Sequence, residues 1–216
     1  TFYNLKAAMS PKNTDNPTGR LEAFSDGVFS IVITLLVFNI QVPRNLPPDK
    51  SLVTALLELW PSYMGYLLGF FLVGIMWINH HNLFKLVGRS DHMLMVFNAL
   101  LLLSIALVPF ASAVLAEYIQ TPEAQIATLI FNGLGFVVAI FYNMLWRYMA
   151  HKRRLIHPDV DQKIVDAISS QYRFGPLFYA VAMAVTFVGA FWGIAVNIGL
   201  AIFFALPLNS ALFEGD

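Results

Sequence analysis

Apolar residues run through this chain in long blocks separated by short polar segments. Nearly every position between Leu21 and Gln41 is apolar, and the same holds over 54–80, 93–117 and 124–149. Each block matches or exceeds the ~20 residues that carry a helix across a hydrocarbon core of ~30 Å. A further block covers 174–208. As one helix its 35 residues would measure about 52 Å. It is therefore expected to fold into two short spans, 174–189 and 191–208, breaking near Gly189–Gly193. The pattern predicts an all-α membrane protein with six transmembrane helices over 19–213, preceded by a flexible tail over 1–18 that is rich in Pro, Asn and Thr.

Three local features refine these elements. Pro109 falls inside the third block and is expected to kink it. Gly65 and Gly69, four residues apart with Gly74 beyond, permit close helix contact in the second. Between the fourth and fifth blocks, the charged segment 150–173 carries Ile164, Val165, Ile168 and Tyr172 at helical spacing. That segment is either a short interfacial helix or a solvated connector.

Composition agrees with a polytopic membrane protein: 58% of the 216 residues are hydrophobic and 12% charged, against a charged share of about 25% in soluble domains. A net charge of zero argues against a nucleic-acid partner, and the absence of Cys removes disulfides, thiol nucleophiles and thiolate metal sites. The basic residues set the orientation. With the N-terminus inside, the inner segments hold eleven of them: Lys6, Lys12, Arg20, Lys85, Arg89, Arg147, Lys152, Arg153, Arg154, Lys163 and Arg173. The outer segments hold two, Arg44 and Lys50, so both termini are expected in the cytoplasm. Trp60 and Tyr118 then fall at outer boundaries, and Trp77, Trp146 and Tyr148 near inner ones. Asp49, Glu58, Glu117 and Glu123 leave the outer segments at net −2 per subunit, read as ordinary surface charge.

No set of side chains suggests catalysis. His80 and His81 are adjacent and point about 100° apart on a helix, no His-Glu-x-x-His pattern occurs, and Ser25 and Asp26 are neighbours rather than nucleophile and base. Ion conduction would need a pore lined by spanning helices, because no Thr-Val-Gly-Tyr-Gly filter stretch is present. The first block is the candidate. Arg20, Glu22 and Asp26 sit at its mouth, where charges need partners or water. Gly27, Ile31, Thr34, Leu35 and Phe38 share one helical stripe, with Asp26, Ser30, Ile33 and Val37 beside it. Spacing alone leaves that stripe open between pore, lipid and packing. A proton-coupled carrier using Asp26 and His81 is an alternative, although paired interrupted helices in two halves are missing. A non-conducting assembly factor is a third reading.

Certain motifs resemble a known family. Arg20-Leu-Glu-Ala-Phe24-Ser25-Asp26 is similar to the Arg-x-x-x-Phe-Ser-Asp signature of the transmembrane protein 175 family of endolysosomal potassium channels and their prokaryotic relatives. Trp77-Ile-Asn-His-His81-Asn-Leu-Phe84 resembles the end of that family's second span, and Phe97-Asn98 with Leu107-Val-Pro109-Phe110 its third. The resemblance implies a potassium-selective cation channel of the single-repeat prokaryotic form, in the plasma membrane, without a filter loop or cofactor. It implies a homotetramer with the first helices around a central pore. By position, Ile31 would form the main constriction, Leu35 the layer one turn outward, and Thr34 the hydroxyl layer. Phe38 stands outermost, where many relatives carry Leu. Thr34 would either meet the ion or hydrogen-bond back to the Ser30 carbonyl. Arg20, Phe24, Ser25 and Asp26 would position the helix, with Ser25 and Asp26 expected to bond Trp77, His81 or Asn98.

Overall fold

The computed structural model describes residues 18–44 and 46–205, and these form an all-helical bundle. Of the expected tail over 1–18, residues 1–17 lie outside the described residues, as does the end of the membrane domain beyond 205. Among the described residues there are eight α-helices: α1 (Gly19–Leu35), α2 (Leu52–Glu58), α3 (Trp60–Phe84), α4 (His92–Ile105), α5 (Val108–Tyr118), α6 (Ala124–Ala150), α7 (Gln162–Thr186) and α8 (Ala190–Ala205). A 3₁₀ turn, Leu36–Asn39, extends α1. Among the described residues four segments are long and apolar enough to cross a membrane: Gly19–Asn39, Trp60–Phe84, His92–Tyr118 and Ala124–Arg153. α8 is a shorter apolar helix.

Thr18 is not part of a free tail; it is buried, and its hydroxyl bonds the Glu22 carboxylate one turn into α1. The second apolar block is divided. Residues 52–58 form the separate helix α2, capped by Ser51 Oγ accepting from the Thr54 amide at 3.1 Å, and α3 starts at Trp60 with Pro61 in its first turn. Proline tolerates that position because its missing amide would have no intrahelical partner there.

The third block breaks where Pro109 requires it. Pro109 cannot donate to the Ile105 carbonyl, so the helix stops at Ile105 and restarts at Val108. The Pro109 carbonyl accepts from Asn39 Nδ2 at 3.0 Å, which ties the end of the first span to the start of α5. Gly65 and Gly69 serve packing: a Cβ on Gly65 would lie 3.0 Å from the Ser112 carbonyl, and one on Gly69 would lie 2.7 Å from Leu36 Cδ2. Ser112 Oγ donates to the Gly65 carbonyl at 2.5 Å, locking α3 against α5.

The charged segment 150–173 differs most from expectation. It contains neither a separate interfacial helix nor a long connector. α7 begins at Gln162 and continues unbroken to Thr186, so Val165, Ile168 and Tyr172 belong to the same helix as the apolar residues after 174. Val165 and Ile168 are buried against the bundle. Pro176 stands inside α7 and leaves the Tyr172 carbonyl without an intrahelical donor. Asn143 Nδ2 on α6 donates to that carbonyl at 2.5 Å, which is how a neighbouring helix makes an interior proline tolerable.

α7 and α8 separate at Phe187–Gly189. Gly193 lies within α8 and allows it to approach Thr186 and Thr128. Asn132 of α6 holds this junction, donating to Thr186 Oγ1 at 3.0 Å and accepting from Asn197 Nδ2 at 2.9 Å. At the opposite end, the α3–α4 and α6–α7 connections are stitched by Gly88 N to the Leu155 carbonyl (2.9 Å) and His157 N to the Leu86 carbonyl (2.8 Å). Trp146 is not an interfacial aromatic. It is 1% exposed, within the core, with Nε1 donating to Ser169 Oγ at 2.9 Å.

Candidate functional site

The first helix has two distinct faces. Ser25, Phe29, Val32 and Leu36 recur at three- and four-residue spacing and are buried against the rest of the bundle. On the opposite side Phe24, Ile31, Leu35 and Phe38 are 61%, 60%, 42% and 70% exposed. Arg20, Gly27, Ser30 and Thr34 are exposed with them. The stripe formed by Gly27, Ile31, Thr34, Leu35 and Phe38 is therefore the face that this subunit leaves uncovered. Gly19–Asn39 lies at the rim of the bundle: 22% of its apolar window is buried, against 50% for His92–Tyr118.

A short chain of hydrogen bonds fixes the rotation of α1 about its axis. Ser25 Oγ donates to the Leu21 carbonyl at 2.8 Å and accepts from Asn98 Nδ2 of α4 at 2.9 Å. Asn98 Oδ1 accepts from His80 Nε2 of α3 at 2.8 Å, which places the imidazole proton on Nε2. His80 stacks on Phe84 with centroids 4.3 Å apart and meets the edge of Phe29 at 5.4 Å. Ser25, Asn98 and His80 are all essentially inaccessible, so each bond replaces water that cannot enter, and an orphaned partner would cost about 1–3 kcal/mol. Rotating α1 by one residue would break this chain and bury Asp26.

Asp26 itself stays exposed and accepts from Trp77 Nε1 at 2.9 Å. The Trp77 ring stacks on His81 one turn further along α3, centroids 6.0 Å apart and 15° from parallel. The structure thus brings Ser25, Asp26, Trp77 and Asn98 together. His81 joins through ring stacking, with no hydrogen bond to Asp26. Trp77, which donates to Asp26 and stacks on His81, cannot itself pass a proton between them, because indole is a donor only. Arg20 and Phe24 are not in the network and continue the uncovered face toward the N-terminal end of α1. Arg20 makes no ion pair with Asp26, six residues away.

The residue that sequence reasoning missed is His80. The signal was available: Met76, His80 and Phe84 follow each other at four-residue spacing on the buried stripe of α3, while Trp77 and His81 share the neighbouring one. Thr34 also departs from expectation. Its hydroxyl donates to the Ile31 carbonyl at 2.8 Å, not to Ser30. With its proton spent inside the helix, Oγ1 presents lone pairs outward. Among the described residues no group of three His, Cys, Asp or Glu side chains is placed to hold a metal ion.

These features define an integral membrane protein of helical class, with one helix held by a buried polar chain and bare on its far side. The family described as "Endosomal/lysosomal potassium channel TMEM175" matches residues 20–109. A potassium channel of Chamaesiphon minutus is 46% identical over 194 residues, 89% of this chain and 96% of that protein. A potassium channel of Streptomyces collinus is 38% identical over 190 residues, 88% of this chain and 92% of that protein. The crystal structure of a lysosomal potassium-selective channel TMEM175 homologue from Chamaesiphon minutus superposes with a TM-score of 0.81 at 45% identity, covering 89% of this chain and 98% of that one. The chain belongs to the TMEM175 family, whose members are ion channels and not enzymes.

Proposed function

We propose that this chain is one subunit of a potassium-selective cation channel that assembles as a homotetramer around its first helices. The observation that carries the reading is the uncovered stripe of α1, whose rotation is set by buried bonds on the opposite face. Relatives of nearly the same length are named potassium channels, which supports potassium as the permeant ion. In this reading residues 19–213 form a six-span channel domain, entered through the buried Thr18 after a tail that ends before it, with both termini cytoplasmic and the protein in a prokaryotic plasma membrane.

In the assembled pore, Ile31 side chains from each subunit form the narrowest ring, with Leu35 and then Phe38 further outward. A ring of aliphatic side chains expels water from a narrow passage and so blocks ions without a plug. Opening requires only a small tilt or rotation of α1 that widens the ring and rewets it. Thr34, with its proton donated to the Ile31 carbonyl, offers oxygen lone pairs to a partly dehydrated cation. No filter loop is involved, so selectivity arises from pore width and hydration. Arg20, Phe24, Ser25, Asp26, Trp77, His81 and Asn98 act as the mounting that aims the pore residues.

The experiment is ion flux from vesicles reconstituted with the purified protein, potassium against sodium. Potassium flux exceeding sodium flux, raised by Ile31→Ala, is expected. Flux that saturates and requires a counter-gradient would replace the channel with a carrier, and a folded oligomer that conducts nothing would replace it with a non-conducting assembly factor.

A further inference from the structure

At the basic end of the bundle, α6 and α7 leave a recess of about 400 Å³ between them, lined chiefly by Asn143, Trp146, Arg147, His151, Ser169 and Arg173. Its polar floor is already satisfied: Trp146 Nε1 donates to Ser169 Oγ, Ser169 Oγ donates to the Val165 carbonyl, and Asn143 Nδ2 to the Tyr172 carbonyl. The two guanidiniums are not. Among the described residues neither Arg147 nor Arg173 has a carboxylate or carbonyl partner; Arg173 rests over the Phe174 ring at 6.0 Å.

The other arginines near this end are committed. Arg154 pairs with Asp91 at 3.2 Å, Arg153 donates to the His157, Pro158 and Val160 carbonyls, and Arg89 Nε donates to the Arg154 carbonyl. Arg147 and Arg173 thus bring two unpaired guanidiniums to one recess. Met144, one turn from Arg147 on α6, and Leu177, one turn from Arg173 on α7, are exposed apolar side chains, as is Phe174 next to Arg173. A pair of guanidiniums in a polar recess, each with an exposed apolar side chain one turn away, matches a phosphate joined to acyl chains.

We propose that this recess binds the phosphodiester head group of an anionic phospholipid. Guanidinium forks suit phosphate oxygens, and basic recesses between membrane helices on the cytoplasmic side select anionic head groups. The inference rests on the reading that places the basic end of the bundle at the cytoplasmic head groups. Acyl chains then lie along Met144 and Leu177.

The test is native mass spectrometry of the purified full-length protein, titrated with phosphatidylglycerol or phosphatidylcholine of identical acyl chains. Phosphatidylglycerol is expected to bind more tightly, and Arg147→Gln with Arg173→Gln to weaken it about tenfold while leaving phosphatidylcholine unchanged. Arg147→Lys with Arg173→Lys, which keeps the charge, should restore part of that binding. Lys152→Gln with Lys163→Gln, cations outside the recess, should leave it intact. Equal binding of the two lipids, or an equal loss in the lysine-to-glutamine variant, overturns the proposal. So does displacement of the lipid by an equal concentration of free glycerol phosphate, which would make the occupant a soluble anion. Potassium flux from purely phosphatidylcholine vesicles reports on the channel reading separately.

Discussion

The two faces of α1 are built from similar residues and have opposite fates. Phe29, Val32 and Leu36 are sealed into the bundle, whereas Ile31, Leu35 and Phe38 are left bare. Hydrophobicity does not distinguish them. The distinction comes from Ser25, whose hydroxyl finds Asn98 and through it His80, and from Gly69, which leaves room for Leu36. One polar contact and one missing side chain choose which apolar stripe is packed and which is left uncovered. Stability should therefore respond to the docked face, and conduction to the bare one.

Leu36→Ala should give the largest stability loss, about 2–5 kcal/mol, because it empties a fully buried site against Gly69. Ile31→Ala, its counterpart on the bare face, should change the melting temperature little and raise potassium flux. A destabilised Ile31→Ala with unchanged flux would break the comparison. Asn98→Leu should cost about 1–3 kcal/mol by orphaning the Ser25 and His80 groups, read by thermal melting in detergent. Gly69→Ala should cost a similar amount, about 1–3 kcal/mol, since its methyl would meet Leu36. Trp77→Phe should cost less, about 0.5–1.5 kcal/mol, because Asp26 is exposed and water replaces the indole donor.

The smallest effect falls outside both faces. At the start of α4, burial pushes the Asp91 carboxyl up, but the Tyr148 hydroxyl, the Leu94 amide and Arg154 outweigh it and hold it below its ordinary 3.8. A carboxylate so depressed stabilises the fold above its unfolded value and stops doing so as pH falls through the folded one. Melting temperature should drop slightly below about pH 4, and Asp91→Asn should flatten that slope without changing flux.

Much of this was legible in the chain. Apolar block lengths located most of the helices, Pro109 located the break between α4 and α5, and three- and four-residue spacing grouped Gly27, Ile31, Thr34, Leu35 and Phe38, but the buried stripe Ser25, Phe29, Val32 and Leu36 does not stand out from its apolar neighbours in the chain. Helix α7 was not legible from apolarity, because Lys163, Asp166 and Arg173 make its first half look like a connector. What folds that half is a narrow stripe, Val165, Ile168 and Tyr172, together with an asparagine on another helix that takes up the carbonyl freed by Pro176. Trp146 was misplaced because an aromatic near a helix end reads as interfacial until its neighbours are known. His80 and His81 differ by one position in sequence and by a whole environment in space, and only the period of the buried stripe tells them apart.

The chain contains no native Cys, so single cysteines report on their surroundings without background. The most direct test of the central claim is current through reconstituted channels carrying Phe38→Cys, Thr34→Cys or Val32→Cys, before and after a water-soluble thiol reagent. The bare-face variants Phe38→Cys and Thr34→Cys should lose current irreversibly, and the docked Val32→Cys should keep it. Block at Val32→Cys with Phe38→Cys and Thr34→Cys untouched would show that the conduction path does not run along the bare face of α1.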